Sequence, residues 1–311
     1  MDKNVYILLL VIITTHTVTT QCAMQHCLHK TKSFFTRTLL EKVDQKELSA
    51  ESINRISIDN MNGPVTIKTG PQKLLVIKTT TRAKKQTDLD NIEIVIDANT
   101  HNHLAIATVY NGTKIAGSVE YELIVPATVN IALTITGNGD ACIKDIHGII
   151  DVVANDNITI TNTKKLVCAQ TLKKGSIHII NSLGPVEAQS QQGSIIGENI
   201  AHSFSAHSTT GKVNVAYKKL PSISSINLKT TSGNIILALP EETNAEIRGG
   251  TIHGFLLSEL PITLRSFTTP LNKSAWSKFT KEVDGTLGSG EATINVQSTK
   301  GNVRVVETKT I

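Results

Sequence analysis

The stretch GSIHIINSLGPVEAQSQQGSIIG, Gly175 to Gly197, decides the fold. Ile177 and Ile179 alternate with Ser176 and His178, and Val186 and Ala188 alternate with Glu187 and Gln189. An apolar residue at every second position marks a strand with one buried face. Turn residues (Asn181, Ser182, Gly184) separate the two strands, and Gly193 restarts the phrase 18 residues after Gly175. The same phrase, a Gly or Asp, one polar residue, then Ile/Val–x–Ile/Val, recurs on both sides. It reads GDACI at Gly139, DNITI at Asp156, GSIHI at Gly175, GSIIG at Gly193, GKVNV at Gly211 and GNIIL at Gly233, in steps of 17, 19, 18, 18 and 22 residues. A second alternating segment follows each of the first five: GIIDV, LVCA, GPVEA, FSA and INL, from Gly148, Leu166, Gly184, Phe204 and Ile226.

Two short strands per repeat of about 20 residues, without helical spacing, predict a β-solenoid whose coils stack on one another. The fold class expected is all-β: a parallel β-solenoid, or β-helix, of about 18–22-residue coils. Gly, Asn and β-branched residues dominate the repeats and disfavour helix. The alternation assigns the core. On the first strand of each coil Ala141/Ile143, Ile158/Ile160, Ile177/Ile179, Ile195/Gly197, Val213/Val215 and Ile235/Leu237 point inward. On the second, Ile150/Val152, Val167/Ala169, Val186/Ala188, Phe204/Ala206 and Ile226/Leu228 do so. The phrase-opening glycines are expected to supply a bend where positive φ costs least.

Outside the repeat the texture changes. Residues 53–136 hold seven longer strand-like runs, INRISI, GPVTIKT, KLLVIKTTTRA, IEIVIDA, HLAIATV, SVEYELIV and VNIALTIT, which predict a sheet-rich N-terminal section merging into the solenoid. FLLSELPITL and NKSAWSKFTKEV (254–283) interrupt the repeat; the second of these suits a short helix capped by Asn272 or Ser274 and carries Trp276. GEATINV and GNVRVVE then return to the β pattern and are expected to close the far end as a C-terminal cap, where an open edge would invite pairing.

The N-terminus MDKNVYILLLVIITTHTVTTQCA has Lys3 ahead of an apolar run from Val5 to Ile13, then small polar residues. That run is too short for a bilayer span of roughly 20 helical residues and has the build of a secretory signal peptide. The division expected is residues 1–23 as signal peptide, 24–51 as a polar, partly disordered leader, and 52–311 as the β-repeat domain. A lipidation reading at Cys22 is the minority alternative, since Gln21 suits a lipidation box poorly.

Composition narrows the function. Over 311 residues, 40% are hydrophobic, 18% charged and only 4% aromatic, with a net charge of +5. Few aromatics argue against an aromatic-lined pocket or a base-stacking surface. The Lys and Arg residues do not form a stripe, so nucleic acid is not an expected partner. Lys pairs at 84–85, 164–165, 173–174 and 218–219 fall at turns and serve to protect edges.

The residues ISIDNMNGPVTIKTG, SVEYELIVPATVNIALTITGNGD, TTSGNIILALP and QSTKGNVRVVE resemble the bacterial putative-adhesin β-strand repeat family, also called Toastrack-type domains, from about Ser52 to the C-terminus. The resemblance implies an exported, envelope-associated β-solenoid with no assigned catalytic, cofactor or metal residues. Where the family reads S-G-D in its coils, this chain has Asp156-Asn157-Ile158 and Gln192-Gly193-Ser194, so these turns depart from the pattern.

Residue by residue, few constellations offer chemistry. On the second strands the outward column reads Asp151, Cys168, Glu187, Ser205, Asn227; its two acids lie two coils apart with a thiol between them. On the first strands it reads Cys142, Thr159, His178, Ile196, Asn214, Ile236, without an acid. A glycosidase needs two carboxyls about 5–9 Å apart, and a solvated face is the better reading of both columns. Cys22, His26, Cys27 and His29 are potential zinc ligands, but their spacing matches no zinc module. His101 and His103 share one side of a strand, as exposed histidines do. Cys142 and Cys168 are read as unpaired and on different faces. Asn111, Asn157 and Asn272 open N-x-Ser/Thr triplets. The function expected is therefore an exported, non-enzymatic, adhesin-like binding or scaffolding module at the bacterial envelope or surface. Its ligand is an unidentified protein or glycan, and no cofactor, metal or mature transmembrane segment is involved. The alternatives are a carbohydrate-active β-helix enzyme and an envelope-stress accessory protein.

Overall fold

The computed structural model describes residues 39–308 except 101, 113–114 and 266–280. The signal peptide, Cys22, His26, Cys27, His29, His101, Asn272, Ser274 and Trp276 lie outside the described residues. The opening section runs β1 (Leu40–Ser49), β2 (Arg55–Asn60), β3 (Val65–Thr69), β4 (Leu74–Ala83), the short helix α1 (Gln86–Asp90), β5 (Ile92–Thr100), β6 (His103–Tyr110), β7 (Gly117–Val125) and β8 (Asn130–Ile135). The coils follow as β9 (Ala141–Lys144), β10 (Ile150–Ala154), β11 (Ile158–Thr163), β12 (Val167–Thr171), β13 (Ile177–Ser182), β14 (Val186–Ser190), β15 (Ile195–Ile200), β16 (Phe204–Ser208), β17 (Val213–Tyr217), β18 (Ser225–Thr230) and β19 (Ile235–Leu239). The C-terminal part holds β20 (Ala245–Thr251), β21 (Leu256–Ser258), β22 (Thr263–Leu264), β23 (Glu282–Leu287), β24 (Ala292–Ser298) and β25 (Val303–Glu307).

From β8 to β19 the chain alternates between two sheets, and each strand pairs in parallel with the strand two positions on in the chain. Sheet A orders its strands β1-β4-β7-β3-β9-β11-β13-β15-β17-β19-β25-β21; sheet B orders them β22-β23-β20-β24-β18-β16-β14-β12-β10-β8-β2-β6-β5. This is a two-sided, flattened parallel β-solenoid, as the repeat predicts. The inward residues named from the alternation are all buried, Ile158, Ile160, Ile177, Ile179, Val213 and Val215 with no exposed surface. Stacked columns of small and branched aliphatics fill the narrow space between the sheets at interior density.

A second device locks the coils, at the S/T-x-x-G corners Ser190–Gly193, Ser208–Gly211, Thr230–Gly233 and Ser298–Gly301. Each buried hydroxyl accepts from its own glycine N–H and donates to the glycine carbonyl of the neighbouring coil. Thus Ser208 Oγ accepts from Gly211 N at 2.9 Å and donates to Gly193 O at 3.0 Å. The same pair of bonds forms at Ser190, Thr230 and Ser298. These glycines are required for a reason other than the expected one. Gly139 has positive φ (155°), but Gly175, Gly193, Gly211 and Gly233 do not; a Cβ on Gly193 or Gly211 would instead meet the carbonyl of the glycine one coil before.

At both ends the spatial order departs from the chain order. β2 and β3, first among the coil strands, lie between β6/β7 and β8/β9. β24 and β25, the last strands, do not close the far end. They insert between β18/β19 and β20/β21, and the outer positions fall to β20–β23. Ile294, Val296, Val303 and Val305 are fully buried, so a terminal position would expose an apolar edge that the insertion covers. β23 and β24 flank β20 on opposite sides, and residues 288–291 wrap over its start. There Gly288 and Gly290 take positive φ (54° and 80°), and Ser289 N donates to Asn244 Oδ1 at 3.0 Å.

Two further segments bear on the sequence reading. Within the segment read as a polar leader, β1 pairs along all ten of its residues with β4. Glu282 and Val283, assigned to the possible helix, open strand β23.

Candidate functional site

The outward column expected on the second strands is present in register. Asp151 lies opposite Cys168, Cys168 opposite Glu187, Glu187 opposite Ser205 and Ser205 opposite Asn227, and the inserted coil extends the line to Asn295. Asp151, Glu187 and Ser205 are exposed; Cys168 and Asn227 are half-buried. Partial burial, then the Glu187 and Asp151 carboxylates on either side, push the Cys168 thiol up from its ordinary value. A thiol held in its protonated form is a poor nucleophile and metal ligand. Asp151 and Glu187 stand two strands apart, about 9.6 Å between backbones at the spacing of neighbouring strands, with the Cys168 side chain between them. This line presents polar groups one per coil; it does not converge on a single reacting atom.

A parallel column lies two residues further along each strand. Gln170, Gln189, His207, Lys229 and Gln297 are exposed and aligned from coil to coil. Sequence reasoning passed over it, although the signal was available: each is the next outward position after Cys168, Glu187, Ser205, Asn227 and Asn295. The outer face of sheet B is therefore a flat polar array two residues wide across at least five coils.

The outer face of sheet A is of another character. His178, Ile196, Asn214, Ile236 and Arg304 follow one another in register, with Ala216, Ala238 and Val306 beside them. His178 faces outward as expected but is one-third exposed and lies 3.1 Å from Glu198. Cys142 and Cys168 occupy strands of opposite sheets and share no disulfide.

At the C-terminal ends of β9, β11, β13 and β15 runs a ladder that the sequence reading also missed. Asp145, Asn162, Asn181 and Asn199 all take left-handed φ, between 53° and 60°. Asn162 Nδ2 donates to Asp145 Oδ1 at 2.6 Å, Asn181 to Asn162 at 2.8 Å and Asn199 to Asn181 at 3.0 Å. Asn and Asp tolerate this conformation best among residues with a Cβ. Their steps of 17, 19 and 18 residues match the coil period and would have revealed them.

Near the N-terminal end, Tyr121 Oη and Thr108 Oγ1 share a 2.7 Å hydrogen bond, Thr108 Oγ1 donates to Asn60 Oδ1 at 3.0 Å, and Asn60 Nδ2 donates to the Gly63 and Val119 carbonyls. Burial pushes the Tyr121 phenol up to about 12. Every group here is satisfied within the protein, which marks a structural network. His103, half-buried, bonds Ser57 Oγ at 2.8 Å. An open cleft of about 350 Å³ lies between β1, α1 and β5, with Asp44, Leu89, Asp90, Ile92, Glu93 and Ile94 on its walls. Among the described residues no three His, Cys, Asp or Glu side chains are placed to hold a metal ion, and no helix is long and apolar enough to cross a membrane.

No family model matches the chain, and no curated protein matches it. Among solved structures it is similar to a "putative adhesin" from Bacteroides fragilis NCTC 9343, at 10% identity over 85% of this chain and 97% of that one, with a TM-score of 0.32. It is similar also to a "putative adhesin" from Parabacteroides distasonis ATCC 8503 (9% identity, 86% and 97% covered, TM-score 0.28). A third is a "putative cell adhesion protein" from Clostridium sporogenes ATCC 15579 (10% identity, 86% and 100% covered, TM-score 0.25). At these TM-scores the likenesses carry no argument about what this chain binds.

Proposed function

We propose that this chain is an exported, non-enzymatic, adhesin-like binding or scaffolding module of the bacterial cell envelope or surface, and that the outer face of sheet B is its ligand-bearing surface. The observation that supports this is the registered pair of polar columns, Asp151 to Asn295 and Gln170 to Gln297. Donors and acceptors repeat at the strand spacing of about 4.8 Å, so an extended protein or glycan lying along the solenoid meets similar groups at every coil. Many weak contacts of this kind suit adhesion, where affinity accumulates with contact length. Catalysis would instead need groups focused on one bond.

The test uses arrays of envelope glycans and extracellular-matrix proteins, probed with the full chain and with a Gln189→Ala, His207→Ala, Lys229→Ala variant. The exposed substitutions leave the melting temperature unchanged and lower binding about tenfold or more, about 1.4 kcal/mol in affinity. Polysaccharide cleavage that is lost in Asp151→Asn or Glu187→Gln would overturn the non-enzymatic reading. Fractionation of the producing cells, with the chain found cytoplasmic and retaining Met1, would overturn export.

A further inference from the structure

Among the described residues the two sheets have four outer edges: β1 and β21 in sheet A, β5 and β22 in sheet B. Open edges template the addition of further strands, and proteins usually blunt them. Three of the four are blunted here. β21 and β22 are three and two residues long. β1 is long, but its register sets Lys42, Asp44 and Lys46 opposite Thr81, Thr79 and Ile77, so these charges lie on the core side. An added strand would have to bury its own core side against them.

β5 is different. It spans nine residues and, among the described residues, pairs with β6 alone. Ile92, Ile94 and Ile96 lie opposite Tyr110, Thr108 and Ile106 on the core side, partly buried, while Glu93, Val95 and Asp97 face out. An unblunted strand with an intact apolar side is the arrangement that β-augmentation uses, backbone bonds giving affinity and alternate side chains giving selectivity. The chemistry around it decides the occupant. Glu93 borders the edge and Asp90 stands at the cleft into which core-side residues of an added strand would reach; Lys42 on the same wall is paired with Asp44 at 3.2 Å, so Glu93 and Asp90 supply the negative charge there. A second β5 would bring like charges together, which disfavours self-pairing. A lysine or arginine laid there rests its aliphatic stem on Leu89, Ile92 and Ile94 and keeps its charge at the acidic mouth.

We propose that β5 is a docking edge for an extended basic peptide segment, which adds to sheet B as a further strand. The surface is separate from the polar columns of sheet B's outer face, so either assignment can fail alone.

The probe is a fluorescein-labelled nonapeptide of alternating lysine and valine, titrated against the full chain by anisotropy, with hydrogen exchange read over residues 92–97. The expected result is saturable binding with slowed exchange in β5. A Glu93→Lys, Asp90→Lys variant with an unchanged melt binds about tenfold more weakly, and methylating alternate peptide nitrogens abolishes binding by removing the ladder donors. Three results would overturn the proposal: no binding, binding that survives N-methylation (charge adsorption without a strand), or protection of β5 through concentration-dependent dimerisation without peptide, which would assign the edge to a second copy.

Discussion

The middle of this solenoid and its two ends are built from the same phrase but by different rules. From β8 to β19 each coil lies on the one before it in the chain, with four or five residues of parallel register between neighbours and one shift, between Gly197 and Ile200. At the ends the first and last coils, β2/β3 and β24/β25, are each tucked one position inward, and segments from elsewhere in the chain cover them. A sequence repeat thus specifies which side of a strand is buried without specifying which coil lies next to which. Burial follows from alternation within five residues. Neighbour order depends on which edges must be hidden.

Removing residues 288–311 should have the largest effect. If β24 and β25 were a terminal cap, their loss would fray one end only. Because they lie between β18/β19 and β20/β21, deletion removes Ile294, Val296, Val303 and Val305 from the core and also leaves β20 and β21 without parallel partners. Burying those four side chains alone is worth about 6–12 kcal/mol. The expected outcome is loss of cooperative folding through residue 239, seen as a broadened thermal melt by circular dichroism.

In the middle, Ile179→Asp should cost about 4 kcal/mol or more, because a carboxylate would enter a dry apolar column with no partner. His178→Ala, one residue away, should stay within about 0.5 kcal/mol, its pairing with Glu198 being a partly solvated contact. His178→Asp would instead set a carboxylate beside Glu198, so alanine is the control. Gly211→Ala falls between, at about 2–3 kcal/mol, by forcing a Cβ against the Gly193 carbonyl. Urea melts of the three variants measure the order, and a one-residue slip in the assigned phase would exchange the first two.

A smaller effect than that of Gly211→Ala concerns the corner ladder. Asn181→Ala loses bonds to Asn162 and Asn199 and keeps a left-handed backbone, for about 1–2 kcal/mol. Asn181→Gly relieves the backbone and loses only the ladder, so it should cost less. Equal losses in the two variants would mean that φ at this position carries no strain.

Legibility in the sequence follows the same division. Inward residues such as Ile160, Ile179 and Val215, and the outward line from Asp151 to Asn227, could be read because a two-residue period acts locally and repeats at each coil. The Asn162–Asn181–Asn199 ladder and the Gln170–Lys229 column had the same period and were legible in principle. The insertion of β24 and β25 was not, because GEATINV and GNVRVVE read the same in the penultimate position as in the last. Their placement is set by long-range competition for buried edges, with the bend at Gly288 and Gly290 permitting the crossing. β1 was hidden for a related reason. LEKVDQKELS has no apolar alternation, and only the open edge of β4 makes it a strand.

Disulfide trapping tests the tucked-coil order most directly. With the native cysteines replaced by serine, paired cysteines are placed at 227 and 295, at 248 and 295, and at 227 and 248. Asn295 lies opposite both Asn227 and Arg248, so the first two pairs sit within the reach of a disulfide, and 227 and 248 are two strands apart, about 9.6 Å. With the coils tucked, the first two pairs oxidise rapidly, seen as a faster-migrating band on non-reducing gels, and the third does not. Ready cross-linking of 227 to 248, with 295 bonding only to 248 or to neither, would show that the coils stack in chain order after all.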